Sequence, residues 1–147
     1  MNRRRAIIVA LLVFVPLALS VSAEKIHAEK PVIALLRAEY FSVWGVSEGA
    51  TPTVNEKTFR AFMEQRPSIA DALRLINDGT PAGRVYGFLA LKKLSPDQFA
   101  KLAPKFFQQR IGVSIMLGCN PTPRTKSTGK LIREISDGEV ILHQRRE

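Results

Sequence analysis

Cysteine and histidine are almost absent from this 147-residue chain, which contains one of the former and two of the latter. The single cysteine, Cys119, excludes an internal disulfide in a monomer, so the fold must be held together by packing. We expect Cys119 to be a buried small apolar residue at the end of a strand, with an intermolecular disulfide as the alternative. His27 and His143 are far apart, and neither H-x-x-x-H nor C-x-x-C spacing occurs. The sequence therefore indicates no metal site.

The chain also lacks the motifs of nucleotide and nucleic-acid binding. Gly129-Lys130 looks like the end of a phosphate loop, but Leu131 stands where the magnesium-binding Ser or Thr would be. The S-x-x-K pattern at Ser127–Lys130 lacks the S-D-N and K-T-G motifs that accompany it in β-lactamases. We therefore predict no cofactor and no nucleic-acid partner.

Only one long apolar run occurs, and it lies at the N-terminus. Arg3–Arg5 precede the apolar residues Ala6–Leu19, and small residues follow as far as Ala23. This is the three-part pattern of a secretory signal peptide, so we expect cleavage after Ala23 and a single mature domain of residues 24–147. An uncleaved membrane anchor is the weaker alternative, because the run contains a proline and is shorter than the ~20 residues of a spanning helix. The predicted location is periplasmic or secreted.

Acidic residues are scarce in one part of the mature chain. Residues 84–133 contain ten basic residues and one acid, Asp97, whereas residues 24–83 contain seven basic and eight acidic residues. One interpretation is that the basic residues only solvate the faces of amphipathic helices and a loop. The other is that they converge and bind an anionic envelope polymer, lipid headgroups or an acidic protein. The candidate contact residues are Arg84, Lys92, Lys93, Lys101, Lys105, Arg110, Arg124, Lys126 and Lys130.

The segment from Thr80 to Leu94 carries the clearest helix signals and the densest apolar surface. Thr80 is a good N-cap, and Pro81 is a good first helical residue. Apolar residues occupy nearly the whole circumference, which is typical of a buried helix. Gly83 and Gly87 each lower helix propensity by about 1 kcal/mol relative to alanine, and they suit a helix that another backbone approaches closely. We expect the domain to be organised around this helix.

Shorter elements are predicted before this segment. Residues 28–39 show apolar residues at helical spacing, and residues 41–46 are aromatic and β-branched, as in a strand. Thr53 and Glu56 form a capping box for a helix that must end before Pro67. These elements are joined by short connections, which favours antiparallel packing of neighbouring helices.

Further helix signals flank the central segment. Ser68 is expected to cap a helix that Gly79 ends in the left-handed conformation. Ser95 is expected to begin the next helix with a capping box. Pro104 should push Ala103 out of helical geometry and so kink or restart that helix.

The C-terminal part predicts a small sheet. Strict alternation of apolar residues predicts a strand over 111–118, and two prolines predict a loop over 120–128. A helix over 128–137 follows, capped by Ser127 or Thr128. The run 140–142 predicts a last strand, which we expect to pair with 111–118. Parallel pairing is favoured over the antiparallel alternative, and 41–46 is the candidate third strand. The predicted fold is predominantly α within the α+β class: compact antiparallel short helices with a two- or three-stranded sheet formed mainly by the C-terminal part.

An enzymatic alternative is suggested by the nucleophile-elbow pattern G-x-S-x-G at Gly45–Gly49. In α/β-hydrolases this pattern lies between a strand and a helix of a large parallel sheet, whereas here Pro52 follows within three residues. We therefore favour a non-enzymatic binding or structural role. The alternative is a small hydrolase that uses Ser47 or Cys119 with His143, which requires one of the first two within hydrogen-bond reach of the histidine.

One long segment of the sequence resembles a group of other proteins. The sequence GTPAGRVYGFLALKKLSPDQF, followed by IGVSIMLGC, resembles a group of small exported bacterial proteins with a helical core of the type GTPAGxxYGxxxLxxL. The likeness covers roughly residues 77–119. It implies export and a shared helical core, and it implies no activity.

Overall fold

The computed structural model describes residues 29–42, 52–117 and 120–140. For residues 117 and 120–123 it describes the backbone and not the side chains. It confirms the predicted class, because short helices form most of the described chain and a three-stranded sheet, mainly from the C-terminal part, completes it. None of the helices in these ranges is both long and apolar enough to cross a membrane. The elements in chain order are α1 (Pro31–Leu36), β1 (Tyr40–Phe41), α2 (Val54–Glu64), α3 (Ile69–Asp78), α4 (Pro81–Leu94), α5 (Pro96–Leu102), a 3₁₀ helix (Ala103–Phe106), β2 (Gly112–Leu117), β3 (Asn120–Ser127) and α6 (Thr128–Asp137).

Helix α4 is the centre of the fold, as predicted. It begins at Pro81 behind the Thr80 N-cap, whose side chain accepts a hydrogen bond of 3.1 Å from the Gly83 N–H. It contacts α1, α3, α5, α6, β1 and β2. A Cβ atom on Gly83 would lie 2.4 Å from the Leu35 carbonyl oxygen, and one on Gly87 would lie 2.8 Å from the Ile76 nitrogen. Both glycines therefore permit the close backbone approach that the sequence suggested.

The first two helices differ in detail from the sequence-based expectations. Helix α1 is shorter than the predicted 28–39, and its fully buried residue is Leu35. The Thr53 side chain accepts from the Glu56 N–H at 3.2 Å, but the return bond of a capping box is absent between these two described residues. Instead the buried Glu56 carboxylate binds Arg60, one turn further along the same helix, at 2.6 Å.

Helix α3 has the complete capping box that α2 lacks. The Ser68 N–H and hydroxyl donate to Asp71 Oδ2 at 2.9 and 2.7 Å, and the Asp71 N–H donates to Ser68 Oγ at 3.2 Å. The prediction of a left-handed Gly79 is wrong, since its φ is −76°. Glycine is needed there for a different reason: a Cβ atom would lie 2.4 Å from the Leu75 carbonyl oxygen.

This box predicts a pH-dependent contribution to stability. Hydrogen bonds from the Ser68 side chain and then from its backbone lower the pKa of Asp71 below its ordinary 3.8. Because the folded-state pKa is the lower one, the stabilisation is present above the unfolded pKa and is lost as the pH falls through the folded value. We expect Asp71→Asn to destabilise the fold at neutral pH, and its difference from wild type in thermal unfolding to shrink below pH 3.8. An equal difference at neutral and strongly acidic pH would contradict this.

The segment after α4 corrects two local predictions. Ser95 makes no side-chain capping bond; its backbone N–H ends α4 by donating to the Leu91 carbonyl, and its carbonyl begins α5 by accepting from the Phe99 N–H. Ala103 keeps helical geometry, with φ −55° and ψ −41°. Pro104 acts instead through its missing N–H, which cannot bond the carbonyl four residues earlier. The α-helix accordingly ends at Leu102 and continues as a 3₁₀ helix.

Strand β2 lies in the middle of the sheet. It pairs in parallel with β1, where Phe41 is opposite Ile115, and antiparallel with β3, where Arg124 is opposite Ile115. Val113 and Ile115 are buried, as predicted, against the helical layer. At Ile115 both sides of β2 are occupied, which contradicts the prediction that 140–142 is its partner there. Residues 141 and 142 lie outside the described ranges.

The predicted loop over 120–128 is wrong, because most of it forms β3. The Thr128 N–H donates to the Ile111 carbonyl at 2.8 Å, so alternate N–H groups in the regular part of β3 point towards β2. The register with β2 shifts between the pairs Ile115–Arg124 and Leu117–Asn120, so Pro121 and Pro123 lie in the irregular part of β3, where proline is tolerated. Helix α6 follows as predicted, capped by Ser127 and ended by Gly138 at φ 81°.

Aromatic side chains of α4 contact the segments that pack on two sides of this helix. Phe88 on α4 makes edge-to-face contacts with Phe99 and Phe106, whose ring centroids lie 6.2 and 4.9 Å away. On another side of α4, the buried Tyr86 hydroxyl accepts from the Ser42 N–H at 3.0 Å and donates to the Ser42 carbonyl at 2.9 Å. Burial raises the pKa of Tyr86 well above its ordinary value. Both backbone groups of Ser42 are thereby satisfied inside the fold.

Candidate interaction surface

The beginning of α6 packs directly against the segment that follows the 3₁₀ helix. A Cβ atom on Gly129 would lie 2.4 Å from the Phe107 carbonyl oxygen. The Gly129 N–H donates to the Gln109 carbonyl at 3.0 Å. Only glycine permits this approach, and the contact brings residues 105–110 beside the first turns of α6.

The N-terminus of α6 has no donor left for an anion in its first three residues. The N–H groups of Thr128, Gly129 and Lys130 donate to the Ile111 carbonyl, the Gln109 carbonyl and Ser127 Oγ. A phosphate site at a helix N-terminus requires such N–H groups to be unpaired. The phosphate-loop and S-x-x-K likenesses are therefore explained by helix capping and close packing.

Three of the nine candidate contact residues have partners inside the fold. The Arg84 Nε donates to the Ile76 carbonyl at 2.9 Å. The Lys92 ammonium donates to the backbone carbonyls at the C-terminus of α6. The Lys126 ammonium binds both carboxylate oxygens of Glu134 at 2.8 Å. These contacts are typical of cations that stabilise the fold.

The other six candidates are exposed, and no ion pair to any of them occurs in the part of the chain that the structure describes. They do not form one continuous group. The Gly129–Phe107 contact places the segment that carries two of them, Lys105 and Arg110, beside the first turn of α6, which carries a third, Lys130. The remaining three are Lys93 and Lys101, on α4 and α5, and Arg124, on β3.

Arg133 belongs to the same junction, and the sequence-based list missed it. Its guanidinium lies over the Phe107 ring, 5.2 Å from the centroid. The signal available in the sequence was its position three residues after Lys130, which places both on one face of a helix. We call Lys105, Arg110, Lys130 and Arg133 the basic junction.

An open groove of about 440 Å³ runs along the outer face of α6 beside the basic junction. Its basic end contains Lys130 and Arg133, and its acidic end contains Asp137 and Glu139. The rest of its lining is Phe107, Ser127 and Glu134. The groove thus presents charges of opposite sign at its two ends.

The residues of the enzymatic alternative cannot be placed. Ser47, Cys119 and His143 lie outside the described residues, as do the signal segment 1–23 and its cleavage point. The hydrolase hypothesis, the expected burial of Cys119 and export therefore stay predictions. Within 29–42, 52–117 and 120–140, no three His, Cys, Asp or Glu residues are grouped so that they could hold a metal ion.

Comparison of the chain with protein-family models, with curated proteins and with solved structures finds no match. A functional proposal must therefore start from the surface itself.

Proposed function

We propose that this protein is exported and acts as a non-enzymatic binding module whose basic junction contacts an anionic component of the cell envelope or an acidic protein. Export is supported by the three-part N-terminal pattern ending at Ala23. Contact with an anion is supported by the one observation that four exposed cationic residues lie on the two segments that pack together here, residues 105–110 and α6.

The basic junction differs from the cations whose charges bind groups that hold the fold together. Lys92 donates to carbonyl oxygens and Lys126 pairs with a carboxylate, and both contacts stabilise the fold. Like charges gathered at the surface repel one another, so the basic junction does not help the fold in this way. Such a cluster attracts anions over a Debye length of roughly 8 Å at physiological ionic strength, which makes binding sensitive to salt.

The proposal predicts that charge reversal at the junction weakens anion binding more than the same change elsewhere. The test variant is Lys105→Glu with Lys130→Glu, and the matched control is Lys57→Glu with Arg74→Glu, at exposed positions of α2 and α3. Glutamate at 130 stands three residues after the Ser127 cap, where it favours helix formation, so α6 should remain folded.

The measurement is the affinity of the purified chain for long-chain polyphosphate by fluorescence anisotropy, at low and at physiological salt. We expect the test variant to bind about tenfold more weakly, equivalent to about 1.4 kcal/mol, and the control to lose about twofold or less. Equal losses in both variants would show that net charge alone is responsible. Absence of binding by the wild type would reject the anion contact. Pull-downs from the cell envelope with both variants would then identify the natural partner.

A further inference from the structure

The charges of α6 are arranged against the preference of the helix itself. Its first turn contains no acidic residue and its last turn no basic one. Lys130 lies in the first turn and Arg133 near the middle, whereas Asp137 ends the helix and Glu139 follows it. A helix dipole favours the opposite order by about 0.3–1 kcal/mol for each charge near its ends. Helix stability therefore does not account for this order of charges.

Internal ion pairs do not account for it either. Lys130 and Glu134 have the i, i+4 spacing of a helical ion pair, but Lys126 already binds both Glu134 carboxylate oxygens at 2.8 Å. Arg133 and Asp137 have the same spacing, and no ion pair between them occurs in the described structure; the Arg133 guanidinium lies over Phe107 instead. Both ends of the groove thus keep charges that face solvent.

A neighbouring helix compensates for the acidic end. The Lys92 ammonium, on α4, donates to the last carbonyl groups of α6 at Ile135 and Ser136. This contact supplies the positive charge that the last turn of α6 lacks. The fold can therefore retain Asp137 and Glu139 at the helix end, where they line the groove.

The geometry points to a zwitterionic peptide as the ligand of this groove, with its carboxylate at Lys130 and Arg133 and its ammonium at Asp137 and Glu139. Seven residues separate Lys130 from Asp137, so the two ends lie roughly 10 Å apart along the helix axis. Three extended residues span roughly the same length. The groove volume of about 440 Å³ lies in the range of small-ligand sites. This inference rests on the proposed function and specifies a peptide carboxylate as the anionic group bound at one part of the basic junction.

Three peptides of nearly equal size test the contribution of each end of the groove separately. Triglycine has both charges, N-acetyltriglycine has only the carboxylate, and triglycine amide has only the ammonium. Each is titrated into the purified chain, and the dissociation constant is taken from amide chemical-shift changes in α6. We expect triglycine to bind at least about fivefold more tightly than either blocked peptide, a difference of about 1 kcal/mol.

Paired variants assign the effect to the two ends. Asp137→Asn with Glu139→Gln should reduce triglycine to the affinity of N-acetyltriglycine. Lys130→Ala with Arg133→Ala should instead reduce it to the affinity of triglycine amide. The first pair is also expected to leave the melting temperature unchanged or to raise it, because it removes negative charge from a helix C-terminus. A melt of each variant therefore separates lost binding from lost folding.

The outcomes distinguish this inference from the proposed function. If N-acetyltriglycine binds as tightly as triglycine, the ammonium end has no role and the inference fails, while anion binding stands. If none of the three peptides shifts the α6 resonances, the inference also fails, and the polyphosphate measurement decides the proposed function separately. If triglycine amide binds as tightly as triglycine, Lys130 and Arg133 do not bind the peptide carboxylate. The inference then fails, and the groove is not part of the anion-binding surface.

Discussion

Replacing Phe88 by alanine is expected to lower the free energy of unfolding by about 3–5 kcal/mol, in the range measured for buried phenylalanines. The Phe88 side chain is fully buried and holds α5 and the 3₁₀ helix against α4 through Phe99 and Phe106. Truncation removes both aromatic contacts and leaves a cavity between three elements. Because a domain of this size is stable by about 5–15 kcal/mol, the loss is a large fraction of the total.

Urea denaturation of the wild type and the variant measures this difference directly. The matched control is Val54→Ala, which also truncates an apolar side chain but at a position that is 72% exposed. The control should change stability by about 0.5 kcal/mol or less, as surface substitutions do. A Phe88→Ala value as small as that of the control would show that α4 is not the centre of the core.

Replacing Gly87 by alanine should destabilise the protein by about 1–3 kcal/mol, the usual range for overpacking a core. Helix propensity alone predicts the opposite, a gain of about 1 kcal/mol. The added Cβ atom would lie 2.8 Å from the Ile76 nitrogen and 2.9 Å from the Ala72 carbonyl oxygen. These are backbone atoms of α3, so they cannot move aside as a flexible side chain would.

The sign of the effect is the test. Asn77→Ala, at an exposed position of α3, provides the comparison, because it adds helix propensity without new contacts and should be neutral or stabilising. A Gly87→Ala variant that unfolds at higher denaturant concentration than wild type would mean that α3 and α4 lie further apart than the structure shows.

The helices were the part of this fold that local sequence signals could predict. Thr80 and Pro81 mark the beginning of α4, and Ser127 and Gly138 mark the two ends of α6, as expected. Capping bonds and dihedral preferences involve residues three or four positions apart, so they can be recognised without knowing the rest of the fold. Errors occurred where one local contact replaced another: the Glu56 carboxylate binds Arg60 one turn along α2, and glycine at 79 provides space beside the Leu75 carbonyl oxygen.

The sheet was less predictable, because a strand depends on a partner that may be distant in sequence. Strict alternation identified β2, which is stabilised by burial of Val113 and Ile115. The proline-rich β3 carried loop signals, and it pairs with β2 because its two prolines fall where the register between the strands shifts. No local pattern contains that information.

The candidate interaction surface likewise has features that the sequence predicts and features that depend on residues distant in the chain. The amino-acid sequence by itself determined that residues 84–133 are strongly basic, that a signal-like segment precedes the domain, and that helices surround an apolar α4. Only the tertiary structure decided which cations bind groups inside the fold and which lie on the two packed segments of the basic junction. The reason is that charge is a property of each residue, whereas proximity depends on Gly129 packing against Phe107, twenty-two positions earlier in the chain.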